Sequence, residues 1–191
     1  MRVLHIVPHL PPPYEGVGTY AAALAGALGG DARFLVCDPA WSGGGNGARA
    51  IPARTAADLL AAIEATGETG TALLHYANYG YQRRGCPEWL VAGLGRWGGR
   101  LVTIFHEVWA SGPPWRSSFW LRPIQRRLAA TLARRSESLA TTLEIYAGML
   151  RPWSHGREIA VLPVFSTVGE PAAAPPFEER ARRQPRVAAG S

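Results

Sequence analysis

Short apolar runs alternate with helix-length segments along most of this chain, and that alternation restricts its possible folds more than any other feature. Six runs have the length and residue types of strands: Arg2–Pro8, Arg33–Cys37, Ala72–Tyr76, Arg100–Phe105, Ser138–Thr142 and Glu158–Val161. The runs that begin at Val3 and Leu101 are nearly continuously apolar, as parallel strands buried on both faces are. The pattern predicts an α/β fold built on an open parallel sheet.

Five further segments have the length and residue types of helices: Thr19–Leu28, Thr55–Thr66, Pro87–Trp97, Ser117–Arg135 and Leu143–Leu150. Thr55 is a favourable N-cap residue, and Pro87 followed by Glu88 makes a favourable first helical turn. We therefore expect a single Rossmann-like domain in which about six parallel strands are flanked by helices.

Glycine and proline mark the segments that interrupt this pattern. The segment Trp41–Ala50 contains Ser-Gly-Gly-Gly-Asn-Gly and is predicted to be a loop. Residues 171–176 read Pro-Ala-Ala-Ala-Pro-Pro, and the charged stretch after them lacks apolar periodicity. We expect the domain to occupy residues 1–164 and a linker or tail to occupy residues 165–191.

Composition excludes several classes of protein. Hydrophobic residues make up 47% of the chain and charged residues 18%, which argues against wholesale disorder. The net charge of +6 comes from arginine alone, and no nucleic-acid recognition motif accompanies it. Cys37 and Cys86 lack metal-ligand spacing and favour a reducing compartment, so the expected location is the cytoplasm and no metal site is expected.

The segment after the first predicted strand is the first candidate site. Its prolines lead into Gly16-Val17-Gly18 at the beginning of a helix, where backbone N–H groups favour an anion such as phosphate. Gly16, Gly18, Ala21 and the later Asp38 also fit a dinucleotide-binding fingerprint, although about eight residues separate the strand from Gly16. A glycine-rich turn without a ligand is the third interpretation of the same residues.

His106 and Glu107 follow a predicted buried strand directly and form the second candidate site. A histidine there can bond to a sugar hydroxyl or phosphate, or transfer a proton, and Glu107 can orient it or bind a hydroxyl. A histidine that only caps the strand is the alternative. His5 lies inside a strand, and no second ligand set is spaced to make a metal site with it.

Aromatic and basic residues follow the strand that ends at Tyr76. Tyr79, Tyr81 and Arg83 could stack on sugars and hydrogen-bond to them. The alternative is that Tyr76 and Tyr79 pack beneath the loop.

Arginines recur on one side of the long predicted helix, at positions 122, 126, 127 and 134, just after Trp115, Phe119 and Trp120. Such a stripe is typical either of a solvated face or of a peripheral contact with an anionic membrane surface.

Taken together, these motifs resemble those of the N-terminal domain of retaining GT-B glycosyltransferases of family four. The similarity covers about residues 1–170, and the matching segments are Met1 to Pro8 with Pro11-Pro12, Glu15 to Tyr20, Leu101 to Glu107, and Val161 to Val164.

The resemblance implies an enzyme that transfers a sugar from a nucleotide-sugar donor with retention. Gly16 and Gly18 would lie against the donor phosphates or the acceptor, and His106 would contact the transferred sugar. Acceptor contacts would come from Glu15, Tyr79, Tyr81, Arg83 and Glu107. The nucleotide-sugar is a substrate, so no cofactor and no essential metal are expected. Lipid-linked, polysaccharide and small-molecule acceptors all fit.

In such enzymes a C-terminal domain binds most of the donor, and that domain is absent from this sequence. We expect the chain to supply half of a GT-B fold and to be inactive alone. Two alternatives are an NAD-type dinucleotide-binding domain and a non-catalytic subunit of a split glycosyltransferase.

Overall fold

The computed structural model describes residues 3–11, 16–29, 32–43, 47–67 and 70–164, and these form an open, all-parallel sheet flanked by helices. The α/β prediction is confirmed. The sheet has seven strands: β1 (Val3–Val7), β2 (Ala32–Val36), β3 (Ala48–Ala50), β4 (Thr71–Tyr76), β5 (Arg100–Phe105), β6 (Ser138–Thr141) and β7 (Ile159–Val161).

The strands lie in the order β3-β2-β1-β4-β5-β6-β7, and every neighbouring pair is parallel. The chain therefore builds one half of the sheet outward from β1, then returns to the centre and builds the other half from β4. Connections leave β1 and β4 in opposite directions, which makes the carboxyl ends of these two strands the topological switch point of the sheet. This switch point is where a ligand site is expected.

The predicted helices are confirmed to within about three residues at each end. Thr55 accepts a hydrogen bond from the Asp58 backbone N–H at 3.1 Å, as an N-cap residue does. The helices are α1 (Gly16–Leu28), α2 (Ala56–Ala65), α3 (Asn78–Tyr81), α4 (Glu88–Arg96), α5 (Ser117–Arg135) and α6 (Glu144–Leu150), and a 3-10 turn follows at Arg151–Trp153. The single-turn helix α3 was not predicted.

One part of the predicted loop at residues 41–50 is a strand. Residues Ala48–Ala50 pair with β2 at the sheet edge, and the Phe34 N–H donates to the Gly47 carbonyl at 3.0 Å. Neither Ala nor Arg is among the residues enriched in strands, so this pairing depends on the neighbouring strand rather than on the local sequence.

The two faces of the sheet are buried by different helices. One face packs on α2, α4 and α5 and holds a cluster that includes Leu4, Leu74 and Phe105. The opposite face holds a smaller cluster in which Tyr20 of α1 packs near Ile104. The candidate site lies on this second face.

Residues 165–191 and Glu15 lie outside the described residues, so the predictions that concern them stay predictions. Among the described helices, none combines the length and the apolar character that a bilayer span requires.

Candidate functional site

Three histidines, one in β1, one in β4 and one directly after β5, stack beside the switch point. The Nδ1 atom of His5 lies 3.1 Å from Nε2 of His75, and Nδ1 of His75 lies 3.3 Å from Nε2 of His106. The ring pairs are nearly parallel, with interplanar angles of 16° and 21°. We call this chain of imidazoles the histidine ladder; it runs from the interior of β1 to the rim of the sheet.

Sheet register produces the ladder. His5 pairs with Leu73, two residues before His75, and His75 pairs with Ile104, two residues before His106. Because side chains alternate between the faces of a strand, residues two apart point the same way. Each histidine therefore lies on the α1 side of the sheet, one step nearer the rim than the last.

The surroundings of the ladder are aromatic. Phe34 lies 5.0 Å from His5 between ring centroids, and Tyr20 meets His106 edge-on at 4.9 Å. Tyr20 also contacts the His75 ring at 6.2 Å. Since Tyr20 belongs to the second turn of α1, it brings the beginning of that helix beside His106.

Burial keeps the ladder neutral. It lowers the pKa of His5 and of His106 to about 4, and it lowers the pKa of His75 well below its usual value, with help from the two neighbouring imidazoles. A neutral imidazole carries one donor and one acceptor nitrogen. At neutral pH the ladder is thus a chain of hydrogen bonds without a charge.

The two glycines that begin α1 have different surroundings. A Cβ on Gly18 would lie 2.3 Å from the His9 carbonyl oxygen, so this glycine permits α1 to approach the segment after β1. Gly16 is exposed and has nothing within 4 Å of the corresponding point. Gly16 can therefore admit a ligand, whereas Gly18 has a packing role.

Tyr81 supports the switch point from inside. It is fully buried, and its hydroxyl lies 3.0 Å from the Ile6 carbonyl oxygen and 2.9 Å from the His75 carbonyl oxygen. The side chain joins β1 to β4 at the switch point. Its burial leaves no surface for an acceptor, so the sequence-based acceptor role is replaced by a supporting one.

Tyr79 lies at the surface, 41% exposed, and its hydroxyl accepts a hydrogen bond from the Gln125 amide at 3.2 Å. The same amide group contacts the Arg84 carbonyl and the Ala110 N–H. Gln125 thereby ties α5 to the segments that follow β4 and β5, and it holds Tyr79 at the rim.

Arg83 and Glu107 are both exposed. The Glu107 backbone N–H donates to the Tyr76 carbonyl at 3.3 Å, next to the bond from the His106 N–H to the same oxygen at 2.9 Å. This pair of bonds fixes the backbone that carries His106.

Asp38 follows β2, and its carboxylate already has three partners within the protein. Its carboxylate lies 3.2 Å from Nδ1 of His9 and 3.3 Å from the Arg54 guanidinium, and it accepts a bond from the Ala40 N–H. A dinucleotide ribose would have to compete with these partners.

A second feature lies on α5. A surface groove of about 410 Å³ is lined by Arg122, Pro123, Arg126, Arg127, Ala130, Arg134 and Trp153, and we call it the arginine groove. The Arg126 guanidinium lies 5.2 Å from the Trp153 ring and 5.9 Å from the Trp109 ring, as in cation–π pairs. Trp115 and Trp120 are 83% and 69% exposed.

Sequence reasoning found His106 but missed its partners. His5 was set aside as an isolated strand residue, and His75 was not singled out. The signal is one histidine inside or directly after each of three largely apolar strands, but only the register reveals that they meet. In the described part of the chain, no group of three or more His, Cys, Asp or Glu side chains converges as metal ligands.

Comparison of the chain with protein-family models and with curated proteins finds no match in either.

Proposed function

We propose that this domain is the acceptor-side half of a retaining glycosyltransferase. One observation carries the proposal: a neutral, partly buried histidine, His106, lies near the switch point beside the beginning of α1. Ligands of open α/β sheets bind at such switch points. Because many activities share this fold, the proposal depends on the residues there and on the motifs that resemble the family.

The proposed role of His106 is to hydrogen-bond the transferred sugar. A hydroxyl both donates and accepts, and a neutral imidazole offers one nitrogen for each purpose. A group whose pKa is about 4 is a weak base at neutral pH. We therefore expect His106 to bind and orient the sugar rather than to remove a proton from it.

The beginning of α1 is the proposed contact for phosphate or for an acceptor hydroxyl. The first N–H groups of a helix lack partners within it, and the helix dipole favours negative charge there. Gly16 leaves that backbone open. The exposed Tyr79, Arg83 and Glu107 are proposed acceptor contacts, as is Glu15 outside the described residues.

The donor would be held mainly by a second domain, as the resemblance implies. Retention would follow from departure and attack on one face of the sugar, with stabilisation of the leaving diphosphate in place of a protein nucleophile. The nucleotide-sugar is then a substrate, and no separate cofactor takes part. We expect this chain alone to bind nucleotide-sugars weakly.

Amide chemical shifts of the ¹⁵N-labelled chain, titrated with maltose and separately with UDP-glucose, test the proposal. We expect shifts at Gly16, Tyr20 and His106, with affinity about five- to tenfold lower in His106→Ala because one hydrogen bond is lost. His155→Asn is the matched control, since His155 is exposed and has a φ of 52° that Asn tolerates. Shifts confined to other surfaces, or unchanged affinity in His106→Ala, would overturn the proposal.

The same titration with NAD distinguishes the proposed glycosyltransferase domain from an NAD-type dinucleotide-binding domain. Asp38 stands after β2, where a dinucleotide-binding domain has its ribose-binding carboxylate. Micromolar NAD binding that is lost in Asp38→Ala would favour that alternative. A non-catalytic subunit would be recognised by reassembly with a donor domain: transfer would then be unaffected by His106→Ala.

We also propose that the arginine groove contacts an anionic membrane surface. Helix α5 carries five arginines and no acidic residue. Trp120, Arg127 and Arg134 recur at intervals of seven residues and so lie on nearly the same side of the helix. Because free cysteines favour a reducing compartment, the proposed surface is the cytoplasmic leaflet, which carries anionic lipids.

A further inference from the structure

We propose that His5 and His75 are positioning residues that make the three imidazoles of the histidine ladder share one tautomer, which sets whether His106 offers a donor or an acceptor at the rim. The inference comes from which nitrogen of each ring faces the next. In both contacts, an Nδ1 atom faces an Nε2 atom. Nδ1 of His106 takes part in neither contact, and we infer that it is the nitrogen that the ladder presents at the rim.

Only two neutral arrangements place one hydrogen in each contact. If His5 donates from Nδ1, His75 accepts at Nε2 and donates from Nδ1, so His106 accepts at Nε2 and carries its own hydrogen on Nδ1. If the direction is reversed, all three rings carry their hydrogen on Nε2. The rings are therefore all Nδ1–H or all Nε2–H.

A mixed set of neutral tautomers breaks at least one contact. Two lone pairs, or two N–H groups, would then face each other across 3.1 or 3.3 Å inside the protein. An unpaired polar group is costly there. The one mixed set that keeps both bonds needs a doubly protonated His75, and burial between two other imidazoles opposes that charge by lowering its pKa.

The shared tautomer connects the rim to the interior. In the all-Nδ1–H state, His106 presents a donor, which suits a phosphate or carbonyl oxygen of a ligand. In the all-Nε2–H state it presents an acceptor, which suits a donating hydroxyl. A ligand that selects one state at His106 must select the same state at His5, two strands away.

Histidine tautomers of the uniformly ¹⁵N-labelled full chain, read from long-range ¹H–¹⁵N correlation spectra at pH 7.5, test the inference without a ligand. His9→Asn and His155→Asn identify the two histidines outside the ladder and serve as controls. We expect His5, His75 and His106 to have the same tautomer, or the same fractional population of two tautomers. Any ladder histidine with a different population overturns the inference.

His75→Phe keeps a ring in the interior but removes both hydrogen bonds. We expect the tautomer populations of His5 and His106 to diverge from each other, whereas a purely structural role for His75 would leave them unchanged. Unchanged tautomers in a folded variant, with folding judged by circular dichroism, overturn the positioning role. If the variant does not fold, the wild-type spectrum decides alone.

The inference that a ligand at His106 selects the tautomer of the whole ladder rests on the proposed function. UDP-glucose at millimolar concentration tests it. We expect the His5 and His106 signals to move toward the same tautomer together. Movement at His106 alone overturns the coupling. If neither signal moves while the ligand-free ladder shows one shared tautomer, the proposed function fails and the ladder stands.

Discussion

Three neutral imidazoles, two of them buried and one half-buried, make the stability of this domain depend on pH. The folded-state pKa of His5 and His106 is about 4, below the 6.5 of an exposed histidine. Between these values the unfolded chain binds more protons than the folded one. The contribution of these histidines to the free energy of unfolding is therefore fully present above about pH 6.5 and is lost as the pH falls toward 4. Charging any one ladder ring also disturbs its neighbours.

The free energy of unfolding, measured in urea at pH 7 and at pH 5, checks this dependence. For one such histidine we expect a loss on the order of 2 kcal/mol between the two pH values. His5→Phe should reduce the loss, because one titrating ring is removed beside Phe34, whereas His155→Asn should leave it as in the wild type. An equal loss in all three proteins would mean that carboxylates elsewhere cause it.

Among the elements, α1 depends on one close approach to the segment that follows β1. The Cβ of an alanine at position 18 would lie 2.3 Å from a backbone oxygen of His9, which cannot rotate away as a side chain can. We expect Gly18→Ala to lower the free energy of unfolding by about 1–3 kcal/mol, because α1 must shift. Denaturant unfolding measures this change.

Gly16→Ala is the matched control, since it adds the same methyl group two residues earlier, in open space. Its effect on the unfolding free energy should stay below about 1 kcal/mol and should favour the folded state. Similar losses from both variants would show that the contact with His9 does not decide the cost, because alanine has a higher helix propensity than glycine and should stabilise α1 at an unobstructed position. A shift of α1 in Gly18→Ala should also change the His106 amide signal, because Tyr20 moves with the helix.

The helices and strands of this chain were predictable where the local sequence determines them. Six strands and five helices follow from apolar runs, turn residues and the cap at Thr55. Strand β3 was missed because Ala48-Arg49-Ala50 has no strand preference of its own, and α3 was missed because it is a single turn. The site was predictable only in part. His106 follows a strand and is visible in the sequence, whereas its contact with His75 depends on the register between β4 and β5.

The whole molecule carries a net charge of +6, and α5 concentrates part of that charge in the arginine groove. Sedimentation with vesicles tests the proposed membrane contact: one set is phosphatidylcholine alone, and the other contains phosphatidylserine. We expect binding to the anionic vesicles only, weakening as salt rises. Arg127→Gln with Arg134→Gln should cost about 2 kcal/mol, roughly a thirtyfold fall in partitioning.

The double variant Arg49→Gln with Arg84→Gln removes the same charge from exposed residues that do not line the groove. It separates a local contact from a general attraction of the basic molecule to anionic lipid. An equal fall in both double variants would assign the binding to net charge and would contradict a role for the groove.

The register of the histidine ladder has a consequence for ancestry. Inserting or deleting one residue within β1, β4 or β5 would turn the histidine of that strand to the opposite face and break the chain of rings. A lineage that keeps the ladder must therefore keep its spacing within these strands, while the loops between them are free to change in length. Relatives too diverged to be recognised by overall similarity can be sought by this pattern: one histidine from each of three neighbouring strands, the second and third lying two residues beyond the positions that pair with the first and the second.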